Sequence, residues 1–502
     1  MNYCQELKEY FQKAAAKFPL SKYGKTFSTC SRFYFFDSGT SKILECSPKE
    51  YNILAYAEAH NKLDFCALSD PENQEACKNI LMAIKNEHIY QALTAEFPHE
   101  SIEELEKIIP QNIRQVVLEV TNRCNLRCDY CIYQSENIGF RDFGNKDMDC
   151  MIAFKAIDLA LNNSYRDDLY IGFYGGEPLL NFDLIKKSVA YALEKATSKK
   201  ISFSMTTNGV LMSKEKAEYF ASIPNFSITF SLDGGKEIHD LHRKLPDGIG
   251  SFDAAYKGLS YALEAYKDKR NLISISTVIC PPYTEDKFNK LQSFFGEALP
   301  DISFNCTYVQ NEFQSSQELQ EEKNGDLSIN ERMPLLLWEK KKNASERRKS
   351  FQKGNQISQL IDIHNRTIQD QPFNPVKFNG CCLPGTRRLY VTTEGLLLPC
   401  ERIGKCPDIG NVYSGLNIPQ IKKSYIDEYI RFSTEDCSNC WVYPLCGVCY
   451  ANCFDETGLN MVQKRQLCKE QRLSTEQYLS YYCELSESDP EFINNLNKMV
   501  TV

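Results

Sequence analysis

Three cysteines, Cys124, Cys128 and Cys131, fall within eight residues of the chain. They directly follow an apolar run, residues 116–120, whose pattern predicts a buried strand. Three thiolates on one short loop can hold three irons of a [4Fe–4S] cluster and leave the fourth iron without a protein ligand. The alternative is a zinc knuckle or a pair of structural cysteines, but structural zinc normally takes four ligands and no fourth Cys or His lies nearby. The spacing therefore favours a cluster with one open iron, where chemistry can take place.

A second set of cysteines lies towards the other end of the chain, where ten of the 22 cysteines fall between Cys381 and Cys468. Cys382 comes first, and Gly395-x4-Cys400 follows on a predicted hairpin. The densest run then contains Cys437, Cys440, Cys446, Cys449 and Cys453. Zinc ribbons and iron–sulfur clusters both use thiols at such spacings, and spacing alone does not separate the two.

The composition is that of an ordinary soluble globular protein. The 502 residues suffice for roughly three domains, and 25% are charged while 42% are hydrophobic. A net charge of −8 gives no general attraction to nucleic acid or to an anionic membrane, and no apolar run reaches membrane-spanning length. Because the N-terminus lacks the basic-then-apolar order of a signal peptide, we expect a cytoplasmic protein. In that reducing compartment the cysteines indicate metal ligation rather than disulfides.

Short apolar runs alternate with helical stretches between residues 111 and 310. Strands are predicted at 116–120, 169–174, 201–206, 226–231, 272–279 and 302–308, with helices between them, for example at 151–161, 184–196 and 254–266. Strands joined by crossover helices form a parallel sheet, and a right-handed succession of six curls into a partial barrel. The predicted fold class is therefore α/β, with a partial (β/α)6 barrel that binds its ligands at the carboxyl ends of the strands.

Four polar loops follow the first four predicted strands, so the fold would bring them to one rim. The first loop carries the three clustered cysteines, and the others contain Gly175-Gly176-Glu177-Pro178, Thr207-Asn208-Gly209 and Leu232-Asp233-Gly234-Gly235. Each of these sequences is also an ordinary turn. Their convergence on one rim is a stronger indication of a site than any single loop.

The pattern Cys-x3-Cys-x-Tyr-Cys resembles the signature of radical S-adenosylmethionine (SAM) enzymes. In that family the methionyl amine and carboxylate of SAM chelate the open iron, and one electron from the cluster cleaves SAM to a 5′-deoxyadenosyl radical. The resemblance implies that Cys124, Cys128 and Cys131 are cluster ligands. It further implies a cofactor-binding role for Tyr130, for the Gly175, Gly176, Glu177 and Pro178 motif that meets the SAM amine, and for Ser231 and Arg243 at the SAM carboxylate and ribose. Without the resemblance, Arg243 would be assigned to a surface salt bridge, and the neighbouring His239 and His242 receive no role.

The C-terminal order of cysteines resembles the SPASM extension of radical SAM enzymes that modify peptides, which carries two auxiliary [4Fe–4S] clusters. The resemblance assigns Cys382 and Cys400, with Cys449 or Cys453, to the first auxiliary cluster. It assigns Cys437, Cys440, Cys446 and Cys468 to the second. The expected Cys-x3-Cys is here Cys446-x2-Cys449, so the choice between Cys449 and Cys453 stays open, as does any role for Cys381 and Cys406. Three clusters are implied in total.

Residues 1–110 have a different pattern. Two apolar runs, 32–37 and 41–45, flank a predicted hairpin turn, Ser47 begins a predicted helix, and a second helix is predicted over 77–88. This unit resembles the winged-helix-like peptide recognition element of maturases of ribosomally made peptides, in which a leader peptide adds a strand to the sheet edge. A structural cap on the barrel without a ligand is the alternative.

The resemblances together imply five parts. These are a leader-recognition module (1–110), a radical SAM partial barrel (111–310), a connector (311–380), a SPASM-like cysteine-rich iron–sulfur domain (381–485) and a tail (486–502). The implied enzyme forms thioether bonds from Cys sulfur to carbon in a cysteine-rich ribosomal peptide, similar to sactipeptide and ranthipeptide synthases. Its partners would be that precursor peptide and an electron donor such as flavodoxin or ferredoxin. The alternatives are formylglycine formation in a sulfatase, carbon–carbon crosslinking, and a non-catalytic iron–sulfur or zinc protein.

Overall fold

The computed structural model describes most of the chain. The described residues are 3–64, 73–97, 100–133, 144–196, 198–297, 299–309, 338, 340–342, 345–346, 355–373 and 382–496. Much of the predicted connector, and Cys381, lie outside them. Within these ranges no helix is both long and apolar enough to cross a lipid bilayer.

The N-terminal residues form a three-stranded antiparallel sheet packed against helices. The elements are α1 (Tyr3–Ala15), β1 (Gly24–Ser28), β2 (Phe33–Asp37), β3 (Ile43–Cys46), α2 (Pro48–His60), α3 (Gln74–Asn86) and α4 (Ile102–Ile108). The structure confirms the predicted hairpin as β2 and β3, and Ser47 and Glu50 form the capping box that begins α2. The sequence analysis missed β1, which pairs with β2 on the other side. The strand order β1-β2-β3 therefore leaves β3 at one edge of the sheet.

The middle of the chain forms the predicted partial barrel. Its six parallel strands are β4 (Gln115–Thr121), β5 (Asp168–Gly175), β6 (Lys200–Thr207), β7 (Phe226–Ser231), β8 (Ile273–Ile279) and β9 (Ser303–Tyr308). The helices are α5 (Cys150–Asn162), α6 (Phe182–Lys195), α7 (Lys214–Ser222), α8 (Lys236–His242), α9 (Phe252–Ala265) and α10 (Glu285–Leu291). All six strand predictions are confirmed to within one residue at each end. Inward-facing side chains such as Val116, Phe173 and Phe226 are fully buried in one core between sheet and helices.

The barrel sheet continues into the cysteine-rich segment. After α11 (Asn355–His364), strand β10 (Arg388–Val391) pairs in parallel with β4, and β11 (Leu397–Leu398) pairs antiparallel with β10. The eight-stranded order is therefore β11-β10-β4-β5-β6-β7-β8-β9. The hairpin predicted around Gly395 is confirmed, and the positive φ of 86° at Gly395 explains the residue type. The sheet thus crosses the position at which the sequence analysis separated the barrel from the C-terminal domain.

The remaining residues are short strands and helices that end in one long helix. They comprise β12 (Gly410–Asn411), β13 (Gly415–Leu416), α12 (Ile418–Gln420), α13 (Glu428–Ser438), β14 (Phe454–Asp455), β15 (Gly458–Leu459), α14 (Met461–Ser488) and α15 (Pro490–Leu496). Phe27 and Phe36 of the N-terminal sheet share a buried cluster with Trp441 and with Leu479 of α14. The N-terminal module therefore packs directly on the cysteine-rich segment.

Candidate active site

The loop after β4 that carries the first three cysteines is held between two other loops of the rim. On one side, the backbone N–H groups of Gly176 and Glu177 donate to the carbonyl oxygens of Thr121 and Arg123, at 2.9 and 2.8 Å. On the other side, the N–H of Asp129 donates to the carbonyl of His242 at 3.0 Å. Backbone hydrogen bonds therefore fix this loop at both ends, as a ligand loop for a rigid cluster requires.

The three thiols of this loop lie close together in a poorly solvated place. Burial raises the pKa of both Cys124 and Cys128 to about 12, and the neighbouring Cys131 adds to the effect on each. The Arg243 guanidinium lies 3.9 Å from the sulfur of Cys128, and the amide of Asn208 lies 3.9 Å from the sulfur of Cys124. Buried thiolates need a compensating positive charge. This donor set therefore fits an iron cluster, whose cations supply that charge and whose sulfurs accept hydrogen bonds from such groups.

The two glycines of the second loop are required by the packing of the cysteine loop. Gly175 has a φ of 129°, and a Cβ there would lie 2.1 Å from the carbonyl oxygen of Thr121. A Cβ on Gly176 would lie 2.1 Å from the carbonyl oxygen of Arg123. The sequence analysis attributed these glycines to an approach by SAM. The structure shows that their missing side chains make room for the backbone of the cysteine loop.

The side chain of Glu177 points into the protein. Its carboxylate accepts hydrogen bonds from the N–H of Leu179 (3.0 Å), the hydroxyl of Thr207 (2.7 Å) and the N–H of Asn208 (2.8 Å). Burial raises the pKa of Glu177, and these three donors oppose that effect. The carboxylate thus connects the second and third loops. Any contact of this motif with the SAM amine must therefore be made by its backbone atoms. Pro178 is buried and begins the 3-10 turn that follows.

Arg243 is part of a buried network and is not a surface residue. Its Nε donates to Oδ2 of Asp233 at 2.9 Å, and only 8% of the residue is exposed. The hydroxyl of Tyr130 donates to the same oxygen, and the guanidinium lies over the Tyr130 ring with 5.4 Å to its centroid. The alternative assignment of Arg243 to a surface salt bridge is therefore wrong. Any contact of Arg243 with the SAM carboxylate must use the guanidinium edge that Asp233 leaves open.

Asp233 is the residue of this network that sequence reasoning did not single out. Besides Arg243 and Tyr130, it accepts a hydrogen bond from the N–H of Val278 at 2.9 Å, which connects the loop after β7 to strand β8. The signal for Asp233 in the sequence is its position after a strand end on the predicted rim. Ser231 lies half-buried at that same strand end, two residues before Asp233.

His239, to which the sequence analysis assigned no role, supports the same network. It is fully buried, its Nδ1 accepts from the N–H of Asp233 at 3.4 Å, and its Nε2 lies 3.0 Å from the hydroxyl of Ser251. That hydroxyl donates to the carbonyl of Arg243, so the ring nitrogen must donate to it. Burial, together with the charge of Arg243, lowers the pKa of His239 to about 4. The neutral ring therefore positions both members of the ion pair.

Four cysteines of the C-terminal segment surround one cavity of about 330 Å³. They are the four that the resemblance groups together, namely Cys437, Cys440, Cys446 and Cys468. Every cysteine in the described ranges is a free thiol, and no group of three or more His, Cys, Asp or Glu side chains there converges closely enough to hold a single metal ion. Four thiols around a space of this size suit a cluster better than one zinc ion, whose sulfur ligands lie about 2.3 Å from the metal.

The remaining C-terminal thiols Cys382, Cys400, Cys449 and Cys453 do not line this cavity. Burial raises the pKa of Cys400 to about 12, with nearby Glu401 and then Cys449 adding to the effect. The sulfur of Cys382 is 3.8 Å from the hydroxyl of Tyr450, the residue next to Cys449. Cys453 is fully buried, and its sulfur lies 3.5 Å from the carbonyl oxygen of Cys449. Of the two candidates, Cys449 therefore acts on the Cys400 thiol, whereas Cys453 is influenced by Cys468, Cys449 and Cys446.

The class of the protein follows from this fold and this rim. Residues 118–295 match the model of the Radical SAM superfamily. That match covers most of β4, all of β5 to β8, the cysteine loop and the three loops beside it. Residues 118–295 therefore form a radical SAM domain, the class of domain that works with a [4Fe–4S] cluster together with SAM.

Three known proteins illustrate what the chain is similar to. It is 36% identical over 192 residues to an uncharacterised protein of Methanocaldococcus jannaschii, a match that spans 38% of this chain and 62% of the relative. It is 24% identical over 356 residues to a cysteine-type anaerobic sulfatase-maturating enzyme of Clostridium novyi, spanning 67% of this chain and 87% of that enzyme. A solved structure of anSMEcpe with bound AdoMet and Cp18Cys peptide superposes with a TM-score of 0.54 at 22% identity, over 77% of this chain and 100% of that one. The last likeness concerns the fold alone.

Proposed function

We propose that this radical SAM enzyme is a peptide maturase that joins cysteine sulfur to carbon in a ribosomally made, cysteine-rich peptide. In this proposal Cys124, Cys128 and Cys131 hold the cluster that binds SAM, and the bound pair supplies a 5′-deoxyadenosyl radical. Gly175 and Gly176 hold the cysteine loop against the rim, and Asp233 fixes Arg243 beside it. The chain's own contribution is position and exclusion of water, which is the usual contribution of a protein to cofactor chemistry.

The C-terminal thiols are proposed to hold two auxiliary clusters. Cys437, Cys440, Cys446 and Cys468 surround one cavity, which supports a fully ligated cluster there. Cys382, Cys400 and Cys449 form the second set, and the proximity of Cys449 to Cys400 supports this choice over Cys453. Each thioether bond replaces one C–H and one S–H bond. The hydrogen atom of the C–H bond goes to the 5′-deoxyadenosyl radical and the S–H loses a proton, so one electron remains that needs an acceptor. The auxiliary clusters would take that role.

The observation that carries the proposal is the exposed edge of the N-terminal sheet. Strand β3 pairs only with β2 in the described sheet, and a surface pocket of about 490 Å³ beside it is lined by Arg32, Phe33, Glu45 and Cys46 among others. An extended leader peptide could add to such an edge through main-chain hydrogen bonds. Nearly a quarter of this chain has no counterpart in the anSMEcpe superposition, which leaves room for a module of this kind. A leader held there would raise the local concentration of the core peptide.

Conversion of a cysteine in a sulfatase to formylglycine is the second candidate, because the Clostridium novyi relative that matches 67% of this chain is a sulfatase-maturating enzyme. This reaction exchanges the cysteine sulfur for an aldehyde oxygen and forms no crosslink. The two candidates therefore differ in the product of one cysteine.

The deciding experiment treats two peptides anaerobically with the reconstituted full chain, SAM and dithionite. One is a synthetic cysteine-rich precursor peptide with a leader, and the other is a sulfatase-derived peptide with one cysteine. We expect the first to lose two hydrogens per bond and its alkylatable thiols, and a leaderless version to react at least tenfold more slowly. An aldehyde on the second peptide, with no change in the first, would instead establish the sulfatase reaction.

A further inference from the structure

Lys22 of the N-terminal module reaches the cavity lined by Cys437, Cys440, Cys446 and Cys468. Only 2% of Lys22 is exposed, and its ammonium donates to the carbonyl oxygen of Cys440 at 3.4 Å. The ammonium also lies 5.7 Å from the ring centroid of Tyr443, another residue of the cavity wall. Among the described residues no carboxylate lies within ion-pair distance of Lys22. A buried, unpaired ammonium is costly unless an anionic group lies nearby.

Other cations surround the same four thiols. Lys464 is fully buried, and its Nζ lies 3.9 Å from the sulfur of Cys468. Nη1 of Arg472 lies 3.9 Å from the sulfur of Cys440. The part of the chain that the structure describes gives Lys464 no ion pair with a carboxylate either. Neither lysine forms an ion pair in the described residues, although Asp37 acts on Lys22 from beyond that distance and Glu435 and Asp436 also line the cavity. Two buried lysines beside four thiols point to one anionic group in the cavity, which a [4Fe–4S] cluster with four thiolate ligands would be.

We propose that Lys22 sets the redox equilibrium of the cluster held by Cys437, Cys440, Cys446 and Cys468, by stabilising its reduced form. One-electron reduction makes the cluster more negative, and a fixed ammonium behind Cys440 favours that form. The N-terminal module is then part of the cluster's surroundings as well as a peptide-binding unit. This inference rests on the proposed function, because it requires that auxiliary cluster.

The test uses the full chain with Cys124, Cys128 and Cys131 changed to Ala, reconstituted anaerobically and titrated with dithionite. Electron paramagnetic resonance follows the reduced cluster, and its signal is assigned as the one that Cys437→Ala removes. Lys22→Met removes the charge, Lys22→Gln keeps a hydrogen-bond donor without charge, and Lys22→Arg keeps the charge. Lys42→Met is the matched control, because Lys42 lies in the same module but pairs with Glu87 at 2.8 Å.

At a fixed potential we expect the ratio of reduced to oxidised cluster to fall roughly tenfold in Lys22→Met and Lys22→Gln, and to stay near wild type in Lys22→Arg and Lys42→Met. An unchanged ratio with full iron content overturns the inference and leaves the proposed function intact. Absence of any signal that depends on Cys437 overturns both. Lys22→Met and Lys22→Gln could also hold no iron at this cluster. In that case, iron retained by Lys22→Arg supports the inference, and iron lost by Lys22→Arg overturns the inference.

Discussion

The carboxylate of Asp233 accepts a hydrogen bond of 2.9 Å from Nε of Arg243, and both residues are buried at the rim beside the cysteine loop. We expect Asp233→Asn to leave the Arg243 charge without its partner and to lower the free energy of unfolding by about 3–5 kcal/mol. Chemical denaturation of the purified protein measures this change. In the reconstituted protein we also expect weaker SAM binding by equilibrium dialysis.

The matched control for this variant is Asp253→Asn, which breaks an exposed ion pair with Lys236. Exposed pairs contribute about 0–1 kcal/mol, so this variant should unfold close to wild type. Equal destabilisation by the two substitutions would contradict the role of Asp233.

The Cys124, Cys128 and Cys131 triple change to Ala tests the cluster that binds SAM. Three clusters predict about twelve irons per chain after reconstitution, and the triple variant should lose about four of them. Metal analysis of anaerobically prepared protein gives both iron and zinc. The assignment of these residues would be contradicted if the wild-type protein held zinc with little iron and the triple variant kept all of that iron.

Gly176→Ala tests the close contact of the first two rim loops. The added Cβ would meet the carbonyl oxygen of Arg123 at 2.1 Å, so one of the two loops must move. We expect the loss of about four irons per chain, since displacement of the cysteine loop separates its thiols. Gly235→Ala is the control, because its Cβ would meet Phe294 at an ordinary 3.6 Å. Full iron content in Gly176→Ala would contradict this prediction, because the cysteine loop would then hold its cluster despite the added Cβ.

His239 predicts an acid-dependent loss of stability. Its pKa is about 4 in the folded protein, below the ordinary value of 6.5, so the folded state binds fewer protons than the unfolded state. The stability it contributes is present above pH 6.5 and is lost as the pH falls towards 4. Between pH 7 and 5 this residue should account for about 2 kcal/mol of lost stability.

The experiment compares unfolding of the wild type and His239→Asn at the two pH values. Asn can accept from the N–H of Asp233 but does not titrate. The variant should therefore be less stable at pH 7 and less sensitive to acid than the wild type. An identical dependence on pH in both proteins would contradict the assignment of this titration to His239.

The choice between Cys449 and Cys453 as a cluster ligand can be made by exchanging each for Ala. We expect Cys449→Ala to lose about four irons, because Cys449 is the thiol near Cys400. Cys453→Ala should keep its iron and lose about 1 kcal/mol of stability, since it only removes a buried sulfur. Iron content and denaturation of both variants are the measurements. The opposite pattern of iron loss would assign the ligand to Cys453.

Local sequence patterns were sufficient for the barrel and for the position of its rim. Alternation of apolar runs with helical stretches predicted β4 to β9, because hydrophobic periodicity reports on the face that each segment buries. The thiol spacing at Cys124 likewise predicted a cluster loop, since three ligands on one short loop need no distant partner. The glycines at 175 and 176 were recognised as a motif, but the reason for them was visible only in the structure.

Contacts between segments distant in sequence were decided by the tertiary structure alone. The parallel pairing of β10 with β4, the ion pair of Asp233 with Arg243, and the approach of Lys22 to Cys440 leave no periodic signal. Each depends on how whole elements pack, and packing is set by the sum of many burial contacts that no single stretch encodes. The sequence by itself predicted the barrel elements and a cluster chemistry for the thiols. The packing of those elements decided which charged side chains lie beside the thiols.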